Sequence, residues 1–188
     1  MKRIVCGIIL SIFFLASSVV AADTVIQNIR ISNSSTHLNL RFHLANSFSP
    51  KMEEAINNGI PTAFTFYVNL YQIRSFWNDK FLAATTLTKT IKYDNLKNEY
   101  TIVTTQNNQE TSSTSLELPT LIEAKKIMTL VEILSIYHLW KLERNNTYYF
   151  EVKAEAEGVK PPPYIHYLLF FLDGKYFETP WEIEKFRY

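Results

Sequence analysis

From His37 to Leu44 the chain alternates strictly. Leu38, Leu40, Phe42 and Leu44 fall on one side and His37, Asn39, Arg41 and His43 on the other, the period-two pattern of a strand with one dry face and one wet face. Thr24 to Ile31 reads as an earlier strand, separated from it by the turn-forming cluster Ser32-Asn33-Ser34-Ser35. In Ala63 to Ile73, Phe64, Phe66, Val68 and Leu70 share one side and Thr65, Tyr67, Asn69 and Tyr71 the other. Both sides are partly apolar, which predicts a central strand. Phe81 to Tyr93 and Glu99 to Thr105 follow, joined by the turn Asp94 to Asn98, and complete a three-strand meander. Further strands are predicted over Ile133 to Leu139, Thr147 to Glu157, Tyr164 to Leu172 and Lys175 to Arg187, with Asp173-Gly174 as a hairpin turn between the last two. The polar run Thr104 to Ser115 predicts a loop.

Two segments read as helices instead. Lys51 to Asn58 has Ser49 as candidate cap, Pro50 in the first turn, Glu53 and Glu54 near the positive end and Gly59 as its stop. The second follows Thr120 and Glu123, spaced as a capping box. It carries Leu121, Ala124, Ile127, Met128 and Val131 at helical spacing, with Lys125 and Lys126 expected to face water. The sum is a mainly β chain: an antiparallel β-sandwich of about eight strands with two short helices, one of them covering an edge or a face.

Residues 1–22 depart from this pattern. A basic start, Lys2-Arg3, precedes the apolar run Ile4 to Leu15, and Ala16 to Ala22 turns small, the three-part layout of a secretory signal peptide. The expectation is cleavage after Ala22 and one mainly-β domain over residues 23–188, with an uncleaved membrane anchor as the rival reading. Either way the remainder is expected outside the cytoplasm, in the periplasm or tethered to the inner membrane.

Composition then narrows the chemistry. Without Lys2 and Arg3, 17 basic residues remain against 18 acidic ones, which disfavours nucleic acid as a partner because phosphate binding needs a cationic surplus. The single cysteine, Cys6, lies in the signal, so thiol catalysis, disulfides and thiolate metal sites leave with it. The glycines after residue 22, Gly59, Gly158 and Gly174, are too dispersed for a phosphate-cradling loop or a nucleophile elbow. His37 and His43 stand six residues apart on one strand face, roughly 20 Å, too far to share a metal ion. His138 and His166 lack a partner at ligand spacing. No catalytic residue, metal site or cofactor is therefore assigned, and the chain is read as a non-enzyme.

Four segments resemble the bacterial family known as domain of unknown function 4390, small envelope proteins. Glu54-Ala55-Ile56-Asn57-Asn58-Gly59-Ile60-Pro61 resembles the family's helix end, and Arg74-Ser75-Phe76-Trp77-Asn78-Asp79 its Trp-rich loop closed by an acid. Tyr93-Asp94-Asn95-Leu96-Lys97-Asn98-Glu99-Tyr100 resembles its tyrosine-flanked turn, and Pro180-Trp181 sits where such proteins tend to carry a Trp. Lys153 to Pro163 departs from the family pattern of an Arg-rich strand, an acid and a Leu-Pro pair. The resemblance implies location and fold but no activity. Some relatives resemble accessory genes beside envelope sensor kinases, which implies a signalling partner.

The candidate binding residues are Arg74, Phe76, Trp77, Asp79, Tyr93, Tyr100 and Trp181. Arg74 beside Phe76 and Trp77 can form a cation–π platform, with Asp79 orienting the guanidinium. The plainer reading, and the favoured one, has Trp77 plugging the end of the sandwich and Arg74 pairing with Asp79. Tyr93 and Tyr100 are expected to pair across their hairpin. The leading expectation is an exported, non-catalytic envelope protein that acts through protein contacts, as accessory to a membrane sensor. The alternative is a carrier of a small apolar ligand or lipid held between the sheets.

Overall fold

The computed structural model describes residues 23–107, 114–158 and 175–188. The predicted signal, the Pro161-Pro162-Pro163 break, the Tyr164 to Leu172 strand and the Asp173-Gly174 turn lie outside the described residues. Ten strands and two helices follow one another: β1 Val25–Asn33, β2 His37–Ala45, α1 Pro50–Asn57, β3 Thr62–Gln72, β4 Lys80–Asp94, β5 Glu99–Gln106, β6 Thr114–Leu118, α2 Leu121–Thr129, β7 Leu130–His138, β8 Thr147–Gly158, β9 Lys175–Glu178 and β10 Glu182–Arg187. They form two antiparallel sheets. One has three strands in the order β1-β2-β7, and the other has seven, β10-β8-β3-β4-β5-β6 with β9 also paired to β8.

The alternation seen in sequence becomes burial. In β2, Leu38, Leu40, Phe42 and Leu44 are buried, and in β3 the buried set is Thr62, Phe64, Phe66, Val68, Leu70 and Gln72. β3 is central, flanked by β4 and β8. Phe42 of the small sheet meets Phe66 of the large one edge-on, ring centroids 5.7 Å apart, and the two sheets close on this contact as a sandwich. Both helices join the same core, α1 through Met52 and Ile56 and α2 through Ala124 and Met128.

Helix α1 follows its sequence signals: Ser49 accepts from the Met52 amide and Gly59 sits at φ +80°, the left-handed geometry that ends a helix without side-chain strain. In α2 the Thr120 hydroxyl accepts from the Glu123 amide at 3.3 Å and donates to the Glu123 carboxylate at 2.9 Å. Thr120→Ala is therefore expected to cost about 1 kcal/mol, measurable as a shift in urea midpoint.

Several expectations need correction. β5 runs to Gln106 and β6 begins at Thr114, inside the segment expected to be a loop, because the backbone of β5 takes β6 as its antiparallel neighbour. Helix α2 stops at Thr129, and Val131 belongs to β7, whose pairing with Phe42 outcompetes another helical turn. The Lys175 to Arg187 run divides into β9 and β10. Buried Thr179 exchanges bonds with Ala154 at the step, and Pro180 has no amide to donate to a ladder. Lys125 does not simply face water, since its ammonium pairs with Glu53 of α1 and lies over the Phe48 ring.

Candidate functional site

The small sheet and both helices pack on one side of the large sheet, the side of Phe64, Phe66, Phe150 and Val152. Residues of opposite parity form its outer face. Strand register sets them in rows: Lys185, Tyr149, Tyr71 and Phe81 across β10, β8, β3 and β4, then Ile183, Glu151, Asn69 and Ala84. Tyr71 and Tyr149 stack, with centroids 5.1 Å apart and planes 14° apart, and Phe81 meets Tyr71 edge-on at 5.6 Å. Phe81, Ile183 and Trp181 are exposed, so this face presents an aromatic and aliphatic strip to solvent.

The loop between β3 and β4 rises from the end of this strip. The Arg74 amide donates to Asp79 Oδ1 at 3.2 Å, while Tyr149 donates its phenol proton to Asp79 Oδ2 at 3.1 Å. Asp79 thus ties the loop to the aromatic row. Burial, followed by that bond to Asp79, pushes the Tyr149 hydroxyl up to about 12. The Arg74 guanidinium donates twice to the Asn78 carbonyl, so the expected Arg74–Asp79 contact runs through the backbone amide and not through the charge. The expectation that Trp77 plugs the sandwich is overturned: Trp77 is 79 % exposed and Phe76 91 %. The loop tip lies beyond Gln72 and Lys80, the last paired residues of β3 and β4.

Tyr93 and Tyr100 pair across their hairpin as expected, with centroids 4.6 Å apart. Their hydroxyls donate to Asn98 and Asn57, which gives both a structural task at the end of the sheet opposite to the Arg74 loop. Trp181 stands on the strip's far side, under the Lys153 ammonium at 5.8 Å. Beyond it the face turns charged. Glu178 accepts from Lys153 and Lys175, which hold its carboxyl down at about 2, and Tyr67 donates to Glu155, a bond that, with burial, raises its hydroxyl to about 12. The predicted residues therefore separate into three places, with Arg74, Phe76, Trp77 and Asp79 together, Trp181 on the same face, and Tyr93 and Tyr100 remote.

The sequence matches, over residues 21–184, the family described as a domain of unknown function (DUF4390). The chain belongs to that family. No curated protein and no solved structure matches it. Two groups of this DUF4390 chain lay outside the sequence expectations. Lys89 is buried on the inner side of β4 between Leu87 and Ile91, and its ammonium donates to the Ile127 and Leu130 carbonyls at the end of α2. Its place in the alternation Leu87-Lys89-Ile91 was a legible signal of burial. His138, which had no partner at ligand spacing in sequence, pairs directly with His37 across β2 and β7, ring centroids 4.1 Å apart. Burial first, then His37 and Lys141, lowers its pKa.

The core between the sheets of the DUF4390 chain is filled by Leu40, Phe42, Phe66, Phe150 and their neighbours. A hollow of about 620 Å³ opens at the edge instead, lined by Thr24, Ser47, Met52, Tyr176 and Phe177 among others, and the buried Ser47 hydroxyl has no hydrogen-bond partner among the described residues.

Proposed function

We propose that this protein is an exported, non-catalytic envelope protein that works through protein contacts, as an accessory to a membrane sensor in the periplasm. The observation that carries the reading is the half-buried Tyr149–Tyr71 stack with exposed Phe81 beside it, continued by exposed Ile183 and Trp181, on the outer face of the large sheet. Aromatic side chains held rigid by their neighbours lose little entropy on association, which suits them to anchor an interface. The basic-apolar-small order of residues 1–22 supports export, and a folded β surface needs no cofactor to act this way.

A photoreactive residue at Ile183, activated in living cells, tests the reading. The expected product is an adduct with the exported part of one membrane protein, reduced about tenfold by Phe81→Ser, as befits an interface anchor. Adducts with cytosolic proteins, or no protein adduct, overturn it, and lipid adducts there favour the carrier alternative.

A further inference from the structure

The Arg74 loop is one of several features at a single end of the sandwich. β3 ends at Gln72, β4 begins at Lys80, β8 begins at Thr147 and β10 ends at Arg187, all at this end by register. The β7–β8 connection arrives there too: Leu139 donates to the Thr36 carbonyl, and Glu143 accepts from Gln72 Nε2 at 2.9 Å. Two loops at this end project large aromatics into solvent, Phe76 and Trp77 from one and Trp140, 76 % exposed, from the other. Among the described residues, the opposite end exposes the aliphatic side chains Leu96 and Ile122 at comparable level.

The charge at the aromatic end is mostly basic. Arg74, Lys80, Lys141, Arg144 and Arg187 are all exposed there. Two acids lie among them, Asp79 and Glu143, which accept hydrogen bonds from the uncharged Tyr149, Gln72 and Asn146 and keep their charge, so the basic groups named outnumber them five to two. Lys141 lies over the Trp140 ring at 5.3 Å, an aromatic body capped by a cation. Indole and phenyl rings at loop tips, ringed by basic side chains, match the layering of a lipid–water interface. Trp partitions to headgroup depth, and Lys and Arg reach anionic phosphates while their stems stay apolar.

The geometry points to this end as a docking surface for an anionic lipid bilayer, entered by Phe76, Trp77 and Trp140. A protein held this way stands upright on the membrane and turns the outer strip of its large sheet sideways, free to meet a membrane protein. The docking does not depend on that contact, and the two are tested at different residues.

The chain has three tryptophans, Trp77, Trp140 and Trp181. Full-length variants that keep one each, with Phe at the other two, are mixed with vesicles of phosphatidylethanolamine and phosphatidylglycerol. The expected result is a blue-shifted emission, quenched by brominated lipid, for Trp77 and for Trp140 but not for Trp181, whatever residues 1–22 contribute to overall binding. The shift should be lost on pure phosphatidylcholine vesicles and weakened by Arg74→Gln with Arg144→Gln. Unchanged emission of Trp77 and Trp140, an equal shift at Trp181, or photocrosslinking from Trp77's position to protein and not to lipid overturns the inference.

Discussion

Phe66→Ala is expected to destabilise the protein by about 3–5 kcal/mol, the range for removing a fully buried aromatic ring. Phe66 has no exposed surface and supplies the large-sheet half of the contact that joins the layers, with Phe42 on the small sheet. The cavity left in β3 is bounded by strands on both sides, paired at Leu87 and Ala154, so the backbone cannot collapse to fill it. Urea unfolding followed by far-ultraviolet circular dichroism measures the loss, because Trp77, Trp140 and Trp181 are already exposed in the folded state. A cost below about 1 kcal/mol would mean that the site relaxes or that the sheets are not joined there. Phe81→Ala, in the exposed strip, serves as the control, because an exposed ring contributes little to folding stability.

The second large effect is a dependence on alkaline pH. Burial lowers Lys89 to about 8 from its ordinary 10.5. Below about 8 both folded and unfolded states hold the proton, and the folded state bears the full cost of an ammonium taken out of water. Between about 8 and 10.5 the unfolded chain binds more protons than the folded one, so stability rises with pH. The gain between pH 7 and 9.5 is roughly 2 kcal/mol at 1.36 kcal/mol per pKa unit. Tyr67 and Tyr149, both raised to about 12, act oppositely but only above pH 10, where their stabilising contribution starts to be lost. Lys89→Met should flatten the rise. It also leaves the Ile127 and Leu130 carbonyls without this donor, so at pH 9.5 the variant should be less stable than the parent. Urea midpoints at pH 7, 8, 9 and 9.5 decide it, and a parallel rise in the variant would remove Lys89 as the cause.

Much of this was legible in the residues one by one. Ser49, Pro50 and Gly59 bound α1, Thr120 and Glu123 open α2, and the two-residue period places Phe64 to Leu70 on one buried side, because caps and strand faces depend on neighbours only a few positions away. Other features resisted the same reading. Trp77 was expected to be buried from its type alone, yet it sits in a loop beyond the last pair of β3 and β4 and is exposed there. The Tyr71–Tyr149 stack requires that β8 lie beside β3, and the two residues are far apart in the chain. Lys89 announced its burial through Leu87 and Ile91, but not the carbonyls that receive it.

By itself, then, the sequence determined both helices and most of the strands, the dry face of the strands that alternate, and the membership that residues 21–184 record. Those properties follow from local sterics and from side-chain period. Only the tertiary structure decided the order of strands, the row of stacked aromatics on the outer face, the His37–His138 pair and the gathering of Phe76, Trp77 and Trp140 at one end. Each of these joins residues whose separation along the chain carries no periodic signal. Their proximity is set by which sheet edge takes which strand, a choice made by the packing of the whole core.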